Sequence, residues 1–174
     1  MTSKVANIGN SGAFDFGFKE FLYFLREPEF SQWGRLGFEI DGVQYNCAEQ
    51  WMMACKARKF NDDETLKKIL KADHPREQKE LGRQVKNFIK NEWDSVARDL
   101  VKQGNIAKFK QNPDAKKILM ATKNCTLVEV NPKDSIWGIA LTAKEAEAGL
   151  EWKGTNWLGQ VLTEIRLEFA NDSC

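Results

Sequence analysis

Glu49, Met52, Met53, Lys56 and Phe60 stand at i, i+3, i+4, i+7 and i+11, the spacing of one helical face. A carboxylate and an ammonium therefore share a partly apolar stripe, separated by about 10 Å of rise. That exceeds the reach of an i,i+4 ion pair, about 6 Å, but two long side chains can converge on a group held between them. The same spacing also describes the two solvated ends of an amphipathic helix, and pattern alone leaves both readings open. A second acid lies in Asp134-Ser135-Ile136-Trp137-Gly138, where a loop can present a carboxylate beside a flat stacking face. The plainer reading there is an Asx-type turn beside a buried Trp.

Trp152-Lys153-Gly154-Thr155-Asn156-Trp157-Leu158-Gly159 places Gly154 and Asn156 where a loop enters a helix. Backbone N–H groups left open at such a point can meet a phosphate or ribose, although a Gly-x-Asn is also an ordinary turn and cap. Arg83, Lys108 and Arg35 are cations able to hold phosphate, and singly each also reads as a solvated side chain. Six Trp and 11 Phe serve either as core filling or as stacking faces for a base or sugar.

Other chemistries are poorly supplied. His74 is the sole histidine, and Cys47, Cys55, Cys125 and Cys174 contain no CxxC pair, so the usual zinc sites lack ligand spacing. Asp73-His74-Pro75 reads as a helix start, with His74 in the capping region. No Gly-x-Gly-x-x-Gly or Walker run is present. No metal and no cofactor is expected. Scattered thiols suit a reducing compartment.

Positioning these groups requires an α+β scaffold, mostly helical with a small sheet. Alternation at Phe14, Phe16 and Phe18 predicts a strand within 14–24, and Leu36–Tyr45 predicts a hairpin turning at Asp41-Gly42. Helices are predicted over Cys47–Phe60 with Asn46 as N-cap, after Asp62-Asp63, and from Pro75 with Leu81, Val85, Phe88 and Ile89 inside. A fourth runs from about Trp93 toward Phe109 with Gly104 as its weak point, and a fifth opens at Pro113. A strand at Thr126–Val130, a loop over Asn131–Leu141 and a last helix over Asn156–Phe169 complete the chain. The expected organisation is an N-terminal segment over 1–13, one compact domain over 14–170, and a tail over 171–174.

The 174 residues, 42% hydrophobic and 29% charged, suffice for one packed domain. A formal net charge of +1 argues against coating nucleic acid by bulk electrostatics, while leaving room for a local basic pocket. No apolar run approaches the ~20 residues of a membrane span, and the N-terminus lacks a signal-peptide core. A cytoplasmic location without membrane partners is expected.

Several separate segments occur in one family's order and spacing. They are Tyr45-Asn46-Cys47-Ala48-Glu49-Gln50-Trp51-Met52, Lys56-Ala57 with Phe60, Leu81-Gly82-Arg83, Trp93, Ala107-Lys108-Phe109, Asp134 with Trp137-Gly138, and Gly154-Thr155-Asn156-Trp157-Leu158-Gly159. Over about residues 14–169 the chain resembles the NADAR (NAD- and ADP-ribose-associated, YbiA-like) family. The resemblance implies a YbiA-like α+β fold with a pocket for a phosphorylated ribosyl compound, and a relation to N-glycoside hydrolases. One branch acts on early riboflavin-pathway intermediates, and another removes ADP-ribose from guanine bases of nucleic acid. Carried onto this chain, its functional positions are Glu49, Lys56 and Asp134 for catalysis, and Trp93, Trp137 and Asn156 for substrate. Arg83, Lys108 and Tyr45, within the matched segments, join them as substrate-binding positions. Phe24–Trp33 departs from the Leu-Ser-Asn-Phe-Tyr-like opening of many bacterial members.

Cleaving a ribosyl C1′–N bond builds positive charge on the sugar and negative charge on the departing base. It therefore calls for a carboxylate near C1′, a proton donor and delivered water. Glu49 and Asp134 supply acids around one expected pocket. Lys56 can donate a proton, steady the leaving group, or attack an opened sugar aldehyde as a Schiff-base amine. The expected substrate is ADP-ribosylated guanine in nucleic acid. The alternatives are a phosphorylated ribosylamino-pyrimidine intermediate, or ADP-ribose or NAD bound by a non-catalytic module.

Overall fold

The computed structural model describes residues 20–172. In chain order the elements are β1 (Glu20–Phe24), β2 (Phe38–Ile40), β3 (Val43–Tyr45), α1 (Ala48–Lys59), α2 (Asp63–Lys71), α3 (Pro75–Arg83), α4 (Lys90–Gln111), α5 (Pro113–Ala121), β4 (Cys125–Glu129), α6 (Ala143–Glu147) and α7 (Trp157–Asn171). This is an α+β fold, mostly helical, with two two-stranded sheets among the described residues. The contacts divide into two units: one continuous, Gln32–Lys116, and one assembled from the chain up to Ser31 and from Lys117 onward.

In the continuous unit, β2 and β3 pair antiparallel with Phe38 opposite Tyr45. Their turn places Asp41 and Gly42 at φ 53° and 76°, the left-handed pair that a tight hairpin needs. The helix α1 packs against α2, α3 and α4 and buries nine of its residues, Glu49 included. It is not amphipathic, which removes the reading of Glu49 as a solvated end. Its N-cap is Cys47, not Asn46. The Asn46 amide instead donates to the Asp73 carbonyl and accepts from Gln78. At the start of α2, Asp62 accepts from Thr65 N–H. His74 caps α3, its Nδ1 accepting from Arg76 N–H, with Pro75 following.

Two further expectations need correction in this unit. The third helix ends at Arg83, and Phe88 and Ile89 stand 41% and 52% exposed instead of in the core. The helix has closed by its C-cap at Gln84, and Asn87 at φ 56° lies in the connection just before them. Gly104 is no weak point of α4. A Cβ there would lie 2.2 Å from the Trp51 indole, so the residue permits α1 and α4 to approach closely.

In the other unit, β1 and β4 pair parallel, Glu20 with Cys125 through Phe24 with Glu129. Phe14, Phe16 and Phe18, the N-terminal segment over 1–13 and the last two residues of the tail lie outside the described residues. Behind the strands, Phe21, Val128, Val130, Ile139, Leu141 and Ala146 form a core cluster against which Tyr23 and Trp152 pack. The last helix lies on β4, and a Cβ at Gly159 would come within 2.0 Å of the Leu127 carbonyl. The short α6 was not among the expected elements. It is held by a capping box in which Thr142 and Glu145 bond each other's backbone N–H.

Candidate active site

One face of α1 carries the acid and the amine. Glu49 is 3% exposed, and its N–H donates to the Gln32 carbonyl at 2.9 Å, which fixes the first turn. Two turns on, Lys56 is half-buried. Its Nζ lies 3.9 Å from the centroid of the Phe88 ring, a cation–π distance. Phe88 in turn meets Phe60 edge-on at 5.3 Å. Burial, and then the neighbouring Arg83 guanidinium, push the Lys56 amine below its ordinary value of 10.5, against a smaller opposing pull from Glu49. Lys56 is therefore a desolvated amine that sheds its proton more readily than a surface lysine. Arg83, the exposed last residue of α3, sets a second positive charge beside it.

Glu49, Lys56 and Arg83 are thus brought into one neighbourhood, together with Phe88, which the sequence reading placed in the core. A helical period extended past Arg83 gives that misplacement. The signal that could have found Phe88 is Asn87, a residue that tolerates φ > 0 and breaks the period.

Trp93, in the first turn of α4, is 8% exposed and turns little of its ring to solvent. Two of the expected substrate-binding residues, Tyr45 and Lys108, are packed inside the unit. Tyr45 packs against Trp51 (5.1 Å, 88°) and Phe38 (5.7 Å), and its hydroxyl accepts from Arg58. Trp51 and Arg58 lie on the side of α1 away from Glu49 and Lys56, so Tyr45 does not join them. Lys108 is completely buried, its Nζ 4.7 Å from the Phe109 ring. Arg35 is committed to Asp73 at 2.8 Å in the loop leading to α3.

Within its own unit, the loop between β4 and α6 is organised by Asp134. Its Oδ1 accepts from Ile136 N–H (3.0 Å) and Trp137 N–H (2.8 Å), which is the Asx-type turn. The half-buried Trp137 meets Trp157 edge-on at 5.6 Å. Asn156, at φ 54° and 1% exposed, clamps β4. Its Nδ2 donates to the Leu127 carbonyl and its Oδ1 accepts from Glu129 N–H. The N–H groups of Asn156, Trp157 and Leu158 donate to the carbonyls of Gly138, Ile136 and Trp137. The donors read from sequence as open to a phosphate are therefore taken by the loop. Among the described residues, no three His, Cys, Asp or Glu side chains group to hold a metal ion, and no helix is long and apolar enough to cross a membrane.

Comparison with known proteins identifies the family. Residues 23–170 match the NADAR domain. The chain is 46% identical over 146 residues to N-glycosidase R617 of Acanthamoeba polyphaga mimivirus, covering 80% of this chain and 86% of that protein. It is 28% identical over 142 residues to N-glycosidase YbiA of Escherichia coli (strain K12), covering 82% and 81%. The NMR structure of the E. coli protein YbiA superposes with a TM-score of 0.72 at 25% identity, over 88% of this chain and 86% of that one. With a domain match spanning most of its length and a relative this similar, the chain belongs to the NADAR family.

Proposed function

We propose that this chain, a hydrolase of N-glycosyl bonds as its relatives are, removes ADP-ribose from guanine bases of nucleic acid by cleaving the ribosyl C1′–N bond. The observation that carries the reading is Lys56: a half-buried amine, lowered in pKa by burial and by Arg83, on the same helical face as a buried Glu49. A ribosyl group on an exocyclic amine can ring-open. The neutral Lys56 then adds to C1′, the C1′–N bond to the base breaks as a proton reaches the leaving nitrogen, and a Schiff base remains on Lys56. Water adds to that carbon, releasing ADP-ribose and regenerating the amine. The net change is one water consumed and one N–glycosyl bond broken. Glu49 carries the protons, Arg83 faces the pyrophosphate, and Phe88 offers its exposed ring to the base. The departure at Phe24–Trp33, where Leu25 and Trp33 are exposed, supports this branch.

A second reading, a phosphorylated ribosylamino-pyrimidine as substrate, is favoured by the net charge of +1, because a small substrate needs no extended cationic surface. The test is to incubate the protein separately with an ADP-ribosylated guanine oligonucleotide and with the ribosylamino-pyrimidine phosphate, following release by mass. The proposal expects free ADP-ribose from the oligonucleotide, and a borohydride-trapped ribosyl adduct on Lys56 that is absent in Lys56→Arg. Release from the pyrimidine alone selects the second reading, and turnover by Lys56→Arg at the native rate overturns the amine's role.

A further inference from the structure

We propose that the Gln32–Lys116 unit carries a second small-molecule site, for a flat apolar ligand with one anionic group, on the side of α1 turned away from Lys56. Trp51, Cys55 and Arg58 recur at i, i+4 and i+7 and so share one helical face, while Glu49, Met53 and Lys56 share the opposite one. The first face borders a pocket of about 570 Å³, within the range of small-ligand sites.

Its depth and its mouth differ in chemistry. Of its lining, Tyr45, Trp51 and Cys55 are buried, and Ile40, Val43, Val96 and Leu100 are half-buried. The Trp51 Nε1–H is already used, donating to the Leu100 carbonyl at 2.7 Å, so the indole brings no free donor to the pocket. Burial pushes the Cys55 thiol up to about 12, which keeps the sulfur neutral. The interior thus favours a hydrocarbon or aromatic body.

At the rim stand Arg58 and Lys59, opposed by the single acid Asp41. The Arg58 Nη2 donates to the Tyr45 hydroxyl at 2.8 Å, and the guanidinium carbon lies 5.8 Å from that ring's centroid. That anchoring holds the fork in place before any ligand arrives and leaves further N–H donors for an incoming anion. Lys59 is held only loosely, with Glu92 at 4.0 Å. A preset guanidinium beside an apolar lining selects a carboxylate, sulfonate or phosphate on a flat apolar body.

The probe is 8-anilinonaphthalene-1-sulfonate, titrated by fluorescence against the whole chain, with N-phenyl-1-naphthylamine as its uncharged counterpart. The expected results are saturable binding of one sulfonate probe, weakened at least tenfold in Arg58→Gln and partly restored in Arg58→Lys. Affinity for the uncharged probe is unaffected by either change. Val96→Phe, in the lining, abolishes binding of both probes while leaving N-glycosyl hydrolysis and the melting temperature unchanged. Absence of saturable binding, or affinity unmoved by both Arg58→Gln and Val96→Phe, overturns the site. So does displacement of the probe by ADP-ribose, or its loss in Lys56→Arg, since either puts the probe on the other face of α1. The binding arms do not depend on turnover, so an inactive protein would refute the proposed reaction without touching this site.

Discussion

A lysine with a lowered pKa makes a signed prediction. If turnover needs the neutral Lys56 amine, the rate rises with pH through a pKa that lies below 10.5, the ordinary lysine value. Lys56→Arg keeps the charge and cannot deprotonate, so single-turnover rates should fall by roughly 100-fold or more while substrate affinity stays within about tenfold. Glu49→Gln should abolish turnover with affinity held in the same range, measured by equilibrium binding of ADP-ribose. Phe88→Ala should weaken substrate binding by about 1–3 kcal/mol if the ring stacks on the base; an unchanged dissociation constant removes it from the site. At this scale the pairing of Glu49 with Lys56 was legible, because helical spacing is a local property. The surroundings of Tyr45, Lys108 and Asn156 were not legible, because spacing does not say which side of an element is covered. Tyr45 faces the hairpin side, Lys108 is enclosed, and Asn156 spends its amide on β4.

Elements in this chain are closed by particular contacts, and three of them predict stability effects. Gly104→Ala and Gly159→Ala drive a methyl into the Trp51 indole and the Leu127 carbonyl respectively. Overpacking of this kind costs about 1–3 kcal/mol. Gly159→Ala should fall at or above the upper end, since a backbone carbonyl cannot rotate away as a side chain can; denaturant midpoints measure both. Asp62 caps α2 and also accepts from Lys86 N–H, and these bonds hold its carboxyl at about 2 against an ordinary 3.8. A depressed carboxylate stabilises the fold fully above its unfolded value and loses that contribution as pH falls from about 4 toward 2. Asp62→Ala should lower the melting temperature at neutral pH and flatten its acid dependence in that window. The hairpin at Asp41-Gly42 and the helix opened by His74-Pro75 were legible from turn and cap chemistry. The five-residue α6 was not, being too short to show a helical period, although its Thr142…Glu145 capping box was written in the sequence.

Over the whole chain, the cysteines report on integrity. Cys47 and Cys55 are buried, and burial raises their thiols to about 11 and 12. Only thiolates are nucleophilic. In native protein at pH 8, iodoacetamide should modify Cys125, which is partly exposed, well before Cys47 or Cys55, and all should react once the chain is unfolded. Peptide mass mapping checks the order. The α+β class was readable because strand and helix periods differ throughout the sequence. The division into two units was not, because no Pro- or Gly-rich linker marks it.

The parallel pair β1–β4 joins residues 105 positions apart. On a ribosome, Glu20–Phe24 emerges long before Cys125–Glu129, its strand partner among the described residues. Gln32–Lys116, an unbroken stretch, is complete before that. Closing so long a loop costs entropy that grows with the logarithm of its length, and preordering the intervening residues shortens the effective loop. Synthesis order thus favours assembly of Gln32–Lys116 first, with β1 and β4 pairing later, and until they pair β1 lacks its strand partner among the described residues and is available to other chains.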